Sequence, residues 1–395
     1  MNAFKERACR RFLAIAGFAS IVAIGPAGAQ SEPPLRAILQ RNAIYNRVLA
    51  PQLLPRHIAT LGFRADRIGN TPYSTKYYKV TNISAEVSGS TSGYATAVNN
   101  DGRIAYDEYD DGGAYIVNHG GTFGKLFLPK GAYGSQAFAL NENAEIVGHF
   151  YHGSGSFVTA WRLAGATTSS IAYSDSTTVL GAGDYAVNNH EVAVGEGASG
   201  AALFEGASDP PGRKFNLLGL RGERCFSGYS DEAYAINDAG EIVGESCTFQ
   251  AVRFSLTGYA ELLPVGGSGS GSGAEAINQQ GDVAGFAAKS AFLYKDHKTV
   301  YLPVPKNDQG TGVLGVAYGI NASDEIVGDL MNVPGSVGQA AFLYINGRSY
   351  DLNTLIPPNS GWIITQALGI NDHGEIVGQG YYNGTLSGVS LEPPG

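Results

Sequence analysis

The sequence predicts an all-β fold, a seven-bladed β-propeller of four-stranded blades whose ring is closed by an N-terminal strand. Three observations lead there. A motif recurs to the end of the chain, seen most fully in Ala233–Gly244, Ala-Tyr-Ala-Ile-Asn-Asp-Ala-Gly-Glu-Ile-Val-Gly. Its Asn falls at Asn99, Asn141, Asn188, Asn237, Asn278, Asn321 and Asn371, a period of 41 to 50 residues. Side-chain size beside each Asn alternates in a fixed way. Short β-prone runs at such a period are the mark of propeller blades.

A full copy supplies four strands. Two apolar runs flank the turn Asn-Asp-Ala-Gly, whose Asn and Asp bond nearby amides and whose Gly accepts positive φ, so an antiparallel hairpin is expected. A third run follows, clearest as Ala291–Tyr294 and Ala341–Tyr344, and a fourth, as Val300–Val304 or Tyr350–Asn353. Two residues before each Asn stand Ala97, Ala139, Ala186, Ala235, Ala276, Gly319 and Gly369. Directly before it stand Val98, Leu140, Val187, Ile236, Ile277, Ile320 and Ile370. Neighbouring strand residues point to opposite faces. One face therefore accepts only a small side chain and the other takes bulk, as wedge-shaped sheets crowded about an axis require. The last copy lacks a fourth strand, while the run Tyr77–Ile83 precedes the first copy unpartnered. Closure of the ring by that run follows.

The chain divides into a signal peptide (1–29), an N-terminal arm with a short helix (30–76) and the repeat ring (77–395). Lys5, Arg7, Arg10 and Arg11 precede the apolar stretch Phe12–Ile24 and the small-residue site Pro26-Ala27-Gly28-Ala29, the pattern of a secretory leader. Removing those four cations and Glu6 from 26 Lys+Arg and 35 Asp+Glu leaves 22 against 34, a formal charge of −12. A dispersed acidic balance argues against nucleic acid and anionic membranes as partners. No membrane span is expected in the mature chain, and a monomer is. Cys225 and Cys247 remain after the leader, an even pair in an exported chain, and read as a disulfide. Cys225 precedes the first strand of the fourth blade and Cys247 follows its second, which puts both on one face of the ring.

Connections after each second strand, and between blades, vary in length, whereas the other turns do not. Function on such scaffolds sits on the varied loops. The repeat, with its third run Ala-Phe-Leu-Tyr, resembles the bacterial extracellular HAF-repeat family over roughly 77–395. The His of that family's triplet is absent: Gln339-Ala340-Ala341-Phe342 and Ser290-Ala291-Phe292 stand in its place. The resemblance implies a secreted, propeller-like protein and carries over no catalytic residue.

Aromatic and acidic residues on the variable loops make the candidate ligand-binding set: Asp107, Tyr109, Asp111, Tyr151, His152, Trp362, Tyr381 and Tyr382. Flat rings beside carboxylates suit a glycan or a secreted or surface protein. The loop Asp107–Gly113 has the acidity for Ca²⁺ but misses the EF-hand pattern at its third position, so a solvated loop is the expectation. His149 and His152 lack a third ligand, and no metal or cofactor is expected. No nucleophile elbow, H-E-x-x-H or phosphate loop occurs. The reading is thus a secreted, non-catalytic binding propeller. The alternative is a polysaccharide hydrolase or lyase using carboxylates near the axis, drawn from Asp184, Asp231, Asp329 and Asp372.

Overall fold

A computed structural model describes residues 76–395 apart from 88–91, 110–112, 119–121, 126–131, 153–156, 164–169, 173–182, 198, 206–213, 227–228, 267–270, 289, 304–313 and 332–338. It gives the backbone alone for 122–123, 132–133, 149–152, 157–163, 170–172, 183–184, 214, 314, 331 and 339. The leader and nearly all of the arm lie outside the described residues.

The fold is an all-β propeller. The described strands form seven sheets, six of four strands and one of five. Numbered in chain order, their inner strands are Gly93–Val98, Ala132–Leu140, Gly183–Val187, Glu232–Ile236, Ser272–Ile277, Leu314–Ile320 and Trp362–Ile370. In sheet seven the outermost strand is Lys79–Asn82, antiparallel to Thr385–Glu392 with Val80 opposite Leu391. A short helix, Ile83–Glu86, leaves it, capped by the Asn82 side chain on the Ala85 amide. The fifth strand of sheet four, Leu218–Leu220, lies parallel on the outer edge of Tyr259–Leu262.

The core is a set of layers between successive sheets. Between sheets four and five lie Val243, Ala251, Ala274, Val283 and Phe292; between five and six lie Ala284, Ala317, Ile326 and Phe342. Sheets seven and one share Val377, Ala95, Ile104 and Tyr106. Inner strands approach so closely that a Cβ built on Gly369 would sit 3.3 Å from the Ala97 Cα of the adjacent sheet. That contact is why only Ala or Gly stands two residues before each Asn.

The repeated Asn does three jobs. Its Oδ1 accepts the amide four residues on, closing the turn in all seven copies, as in Glu241 N–H to Asn237 at 2.9 Å. Its Nδ2 donates to the backbone carbonyl of the next sheet's Asn. These bonds run Asn99 to Asn141, Asn188, Asn237, Asn278, Asn321 and Asn371, and from Asn371 back to Asn99, at 2.9–3.2 Å. Its second Nδ2 proton meets the Glu of the motif in Asn141–Glu145, Asn237–Glu241 and Asn321–Glu325. All seven Asn are buried.

A feature invisible to simple alternation is a bulge in every inner strand. The register skips Thr96, Phe138, Tyr185, Tyr234, Glu275, Tyr318 and Leu368, three residues before each Asn. The bulge pushes a carbonyl against the facing strand. A Cβ on Gly244 would lie 2.0 Å from the Glu232 carbonyl, and one on Gly328 would lie 1.9 Å from that of Val316. The Gly of Ile-Val-Gly is thereby explained. The turn residue three after the Asn has positive φ throughout, and Ala144, Glu191 and Asp324 adopt it where Gly is missing. The outer strands begin two residues earlier than expected, at Lys298 and Arg348, because Asp296-His297 and Asn346-Gly347 make two-residue turns with positive φ at both positions.

Replacing Asn278 by Ala removes a turn bond and an inter-sheet bond and strands two backbone partners. We expect a loss of roughly 2–4 kcal/mol in denaturant unfolding. Asp238→Ala, which deletes a partly exposed acceptor one position beyond the neighbouring Asn, is expected to cost about 1 kcal/mol or less.

Candidate functional site

The inner strands differ in length at the end away from the Asn turns. Those of sheets two and seven have nine residues, and that of sheet one has six. Both long strands carry a second bulge near this end, at Tyr133 and at Thr365. Among the described residues the first hairpin of sheet one is therefore shorter than those of sheets two and seven. The end of these three sheets away from the Asn turns is the candidate site. Of the eight sequence-predicted ligand residues, the seven that the structure describes fall on or directly beside strands of these three sheets.

At this end sheet one is tied to both neighbours by rings and amides, with Tyr94 and Gln379 buried and Tyr109 and Gln136 partly exposed. Tyr94 and Tyr109 pack with ring centroids 5.4 Å apart. Gln136 Nε2 donates to Tyr94 Oη at 2.9 Å from sheet two, and Gln379 Nε2 to Tyr109 Oη at 2.8 Å from sheet seven. On the first hairpin of sheet seven, Trp362 packs on Tyr382 at 5.1 Å, with Ile363 and Tyr382 exposed. Tyr381, opposite Ile363, is half-buried, and burial pushes its phenol pKa up. Asp107 is turned inward, where Oδ1 accepts the Ala137 amide at 2.8 Å and ties sheet one to sheet two. Asp111 lies outside the described residues. Tyr151 and His152 end the second strand of sheet two, and only their backbone is described. Tyr94, Gln136 and Gln379 were not among the predicted site residues. Their signal was positional: each sits at the repeat position nearest this end, and periodicity alone gave no reason to separate them from core.

Of the four carboxylates considered for glycoside chemistry, the three whose side chains are described stand apart. Asp372 lies at the Asn end, where it accepts the Ala322 amide and the Asn100 carboxamide. Asp231 Oδ1 accepts the Cys247 amide on sheet four. The Asp184 side chain is not among those described. Asp329 is fully buried between sheets six and seven, its Oδ2 accepting from Gln366 Nε2 at 3.1 Å and its Oδ1 without a hydrogen-bond partner. Burial raises its pKa to about 7, against the opposing effect of the bonds from Gln366 and Tyr318.

On sheet four the cysteines are joined, Cys225 to Cys247, with Cα atoms 5.0 Å apart. The bridge pins the loop entering the sheet onto the loop after its second strand. Phe249 there stacks on Phe226 and meets Tyr229 edge-on. Glu223 and Asp231 converge on Cys247, but a disulfide sulfur is no thiolate ligand, so the group makes no metal site. No helix among the described residues is long and apolar enough to cross a membrane.

With this geometry in hand, known proteins place the fold. Streptogramin B lyase is similar at 10% identity over 80% of this chain and 98% of that one, with a TM-score of 0.51. A catalytically inactive virginiamycin B lyase from Staphylococcus aureus with quinupristin matches at 9% identity, 80% and 100% coverage and 0.51. YCF48 bound to D1 peptide matches at 9% identity, 83% and 98% coverage and 0.50. These are propellers. No family model matches the sequence, and no curated protein matches it.

The raised pKa of Asp329 gives stability a pH dependence. Its native carboxyl holds the proton more tightly than the unfolded chain does, so stability falls as pH rises from about 4 to about 7. Asp329→Asn keeps the shape and removes the charge. We expect the variant to be more stable than wild type at pH 8, by about 1–3 kcal/mol, with the difference shrinking toward pH 4. Equal pH profiles in thermal unfolding would exclude this.

Proposed function

We propose that the protein is a secreted, non-catalytic binding propeller of the HAF-repeat type, a ring of seven blades sealed by Lys79–Asn82. Its ligand, a glycan or a segment of a secreted or surface protein, meets the variable-loop face at the end of sheets seven, one and two. The observation that carries this reading is the cluster of rings at that end, where Trp362 packs on the exposed Tyr382 and the partly exposed Tyr109 packs on buried Tyr94. Such rings offer apolar faces and hydrogen bonds together, without a nucleophile. The disulfide accords with an oxidising compartment. Propellers of this shape serve as enzymes, as in streptogramin B lyase, and hold peptides, as in YCF48 with the D1 peptide. At such identities the likeness supports the scaffold alone.

The second reading is a polysaccharide hydrolase or lyase. One feature favours it: Asp329 has the near-neutral pKa of a general acid. Its burial, and its bonds to Gln366 and Tyr318, favour a structural use instead.

A glycan array and a panel of secreted proteins are expected to yield a ligand. Tyr109→Ala and the pair Trp362→Ala/Tyr382→Ala should each weaken it about tenfold or more. Turnover of a polysaccharide, abolished in Asp329→Asn, would replace this reading with the second.

A further inference from the structure

The disulfide on sheet four stands inside a set of metal-ligating groups. Among the described residues one such set gathers: a carboxylate oxygen of Glu223, one of Asp231 and Cys247 Sγ all lie within 4.8 Å of one another. Cys225 Sγ, bonded to Cys247 Sγ, is a fourth donor one bond farther out. While the bridge is closed its sulfurs are no thiolates. Opened, they complete two sulfurs and two carboxylates, a donor set that suits Zn²⁺. Ca²⁺, which takes about six to eight oxygens, is poorly served by it.

The two loops that carry these donors are held together by more than the bridge. Thr248 Oγ1 donates to Glu223 Oε1, and the Leu220 amide donates to Glu223 Oε2 at 3.3 Å. The Cys247 amide donates to Asp231 Oδ1 at 2.9 Å. Phe226 and Tyr229 of the entering loop both pack on Phe249 of the other, at 5.7 and 4.7 Å. Gly219 leaves room for the Asp231 carboxylate, whose place a Cβ there would take. None of these ties needs the S–S bond, so the donors stay near one another without it.

The spacing suits an ion. Donors around a tetrahedral Zn²⁺, at bonds of about 2.0–2.3 Å, stand roughly 3.3–3.8 Å apart. Closing from 4.8 Å asks for an adjustment of roughly 1 Å, which the rotatable Glu and Asp side chains supply. Cys225 is exposed and Cys247 buried, so a reductant meets the bridge from the Cys225 side.

We propose that reduction of the Cys225–Cys247 bridge creates a Zn²⁺ site of Cys247, Glu223, Asp231 and Cys225, in which the metal replaces the disulfide as the staple between the two loops. A dithiol supplies two electrons and two protons to the bridge and closes its own disulfide. The two Cys thiols so formed each lose a proton to solvent as Zn²⁺ takes their sulfurs. The inference does not rest on the ligand assigned to sheets seven, one and two.

Titration of the reduced mature chain with Co²⁺, a spectroscopic substitute for Zn²⁺, tests it. The reductant is removed first under argon, and the fold is checked by circular dichroism. Expected is about one Co²⁺ per chain, with a thiolate-to-cobalt charge-transfer absorption that Zn²⁺ abolishes and the oxidised protein does not show. Cys247→Ser should lose this absorption. Asp231→Asn, whose side chain still accepts the Cys247 amide, and Glu223→Gln should each weaken Co²⁺ about tenfold or more while keeping it. Zn²⁺ should raise the melting temperature of the reduced chain and leave that of the oxidised protein unchanged. Absence of the sulfur absorption, full affinity in either carboxylate variant, a melting temperature that Zn²⁺ does not move, or loss of the fold on reduction overturns the proposal.

Discussion

The carboxamide of one repeated residue holds this structure together. Each Asn locks its own turn with Oδ1 and reaches the next sheet's backbone with Nδ2, and the seventh reaches the first. A buried amide costs free energy unless it is bonded, and here each atom is used. Asp lacks the donor, and Gln is one methylene too long for the turn. Local turn geometry and global ring geometry are therefore specified by the same side chain. The residue after each Asn adds a second collar: Glu142 accepts the Asn100 amide, Asn189 that of Glu142, Asp238 that of Asn189, and Gln279 that of Asp238. It lapses where Ala322 offers no acceptor.

The rest of the motif follows from this constraint. Sheets held at Asn–carbonyl distance leave room for only Ala or Gly beside it. The bulge three residues earlier aims a side chain away from the packed faces. Phe138, Tyr185 and Tyr234 are half-buried and touch one another from three successive inner strands, at 5.5 and 5.8 Å. In sheets four to seven the bulged strand's carbonyl takes the space of a Cβ at the motif Gly. Where sheet one has Tyr106 instead, the seam beside the N-terminal strand is built differently. Its hydroxyl bonds Ser84 at 2.8 Å, and Gly93 and Gly388 clear space for the ring.

Much of this was legible because the period forces identical environments. The Asn positions, the small–bulky pair, the hairpins and the Cys225–Cys247 bridge all follow from repetition and chain order. The bulge was not, since Thr, Phe, Tyr, Glu and Leu share no property except their place. Where the candidate residues sit in the fold was legible only coarsely. Loop aromatics pointed to sheets seven, one and two, but Asp107 spends its carboxylate on the Ala137 amide, which no sequence rule reveals. Gln136 and Gln379 matter through partners 42 and 270 residues away. The strand Leu218–Leu220 was not read from the sequence, since it forms only by pairing with Tyr259–Leu262 about 40 residues on.

Native-state hydrogen exchange at the seven amides donated to Asn Oδ1, those of Arg103, Glu145, Val192, Glu241, Asp282, Glu325 and Glu375, tests the role of the carboxamides most directly. If the Asn ring is the common tie, all seven exchange only through global opening, with one shared free energy. Seven unequal values, or fast exchange at any single turn, would contradict it.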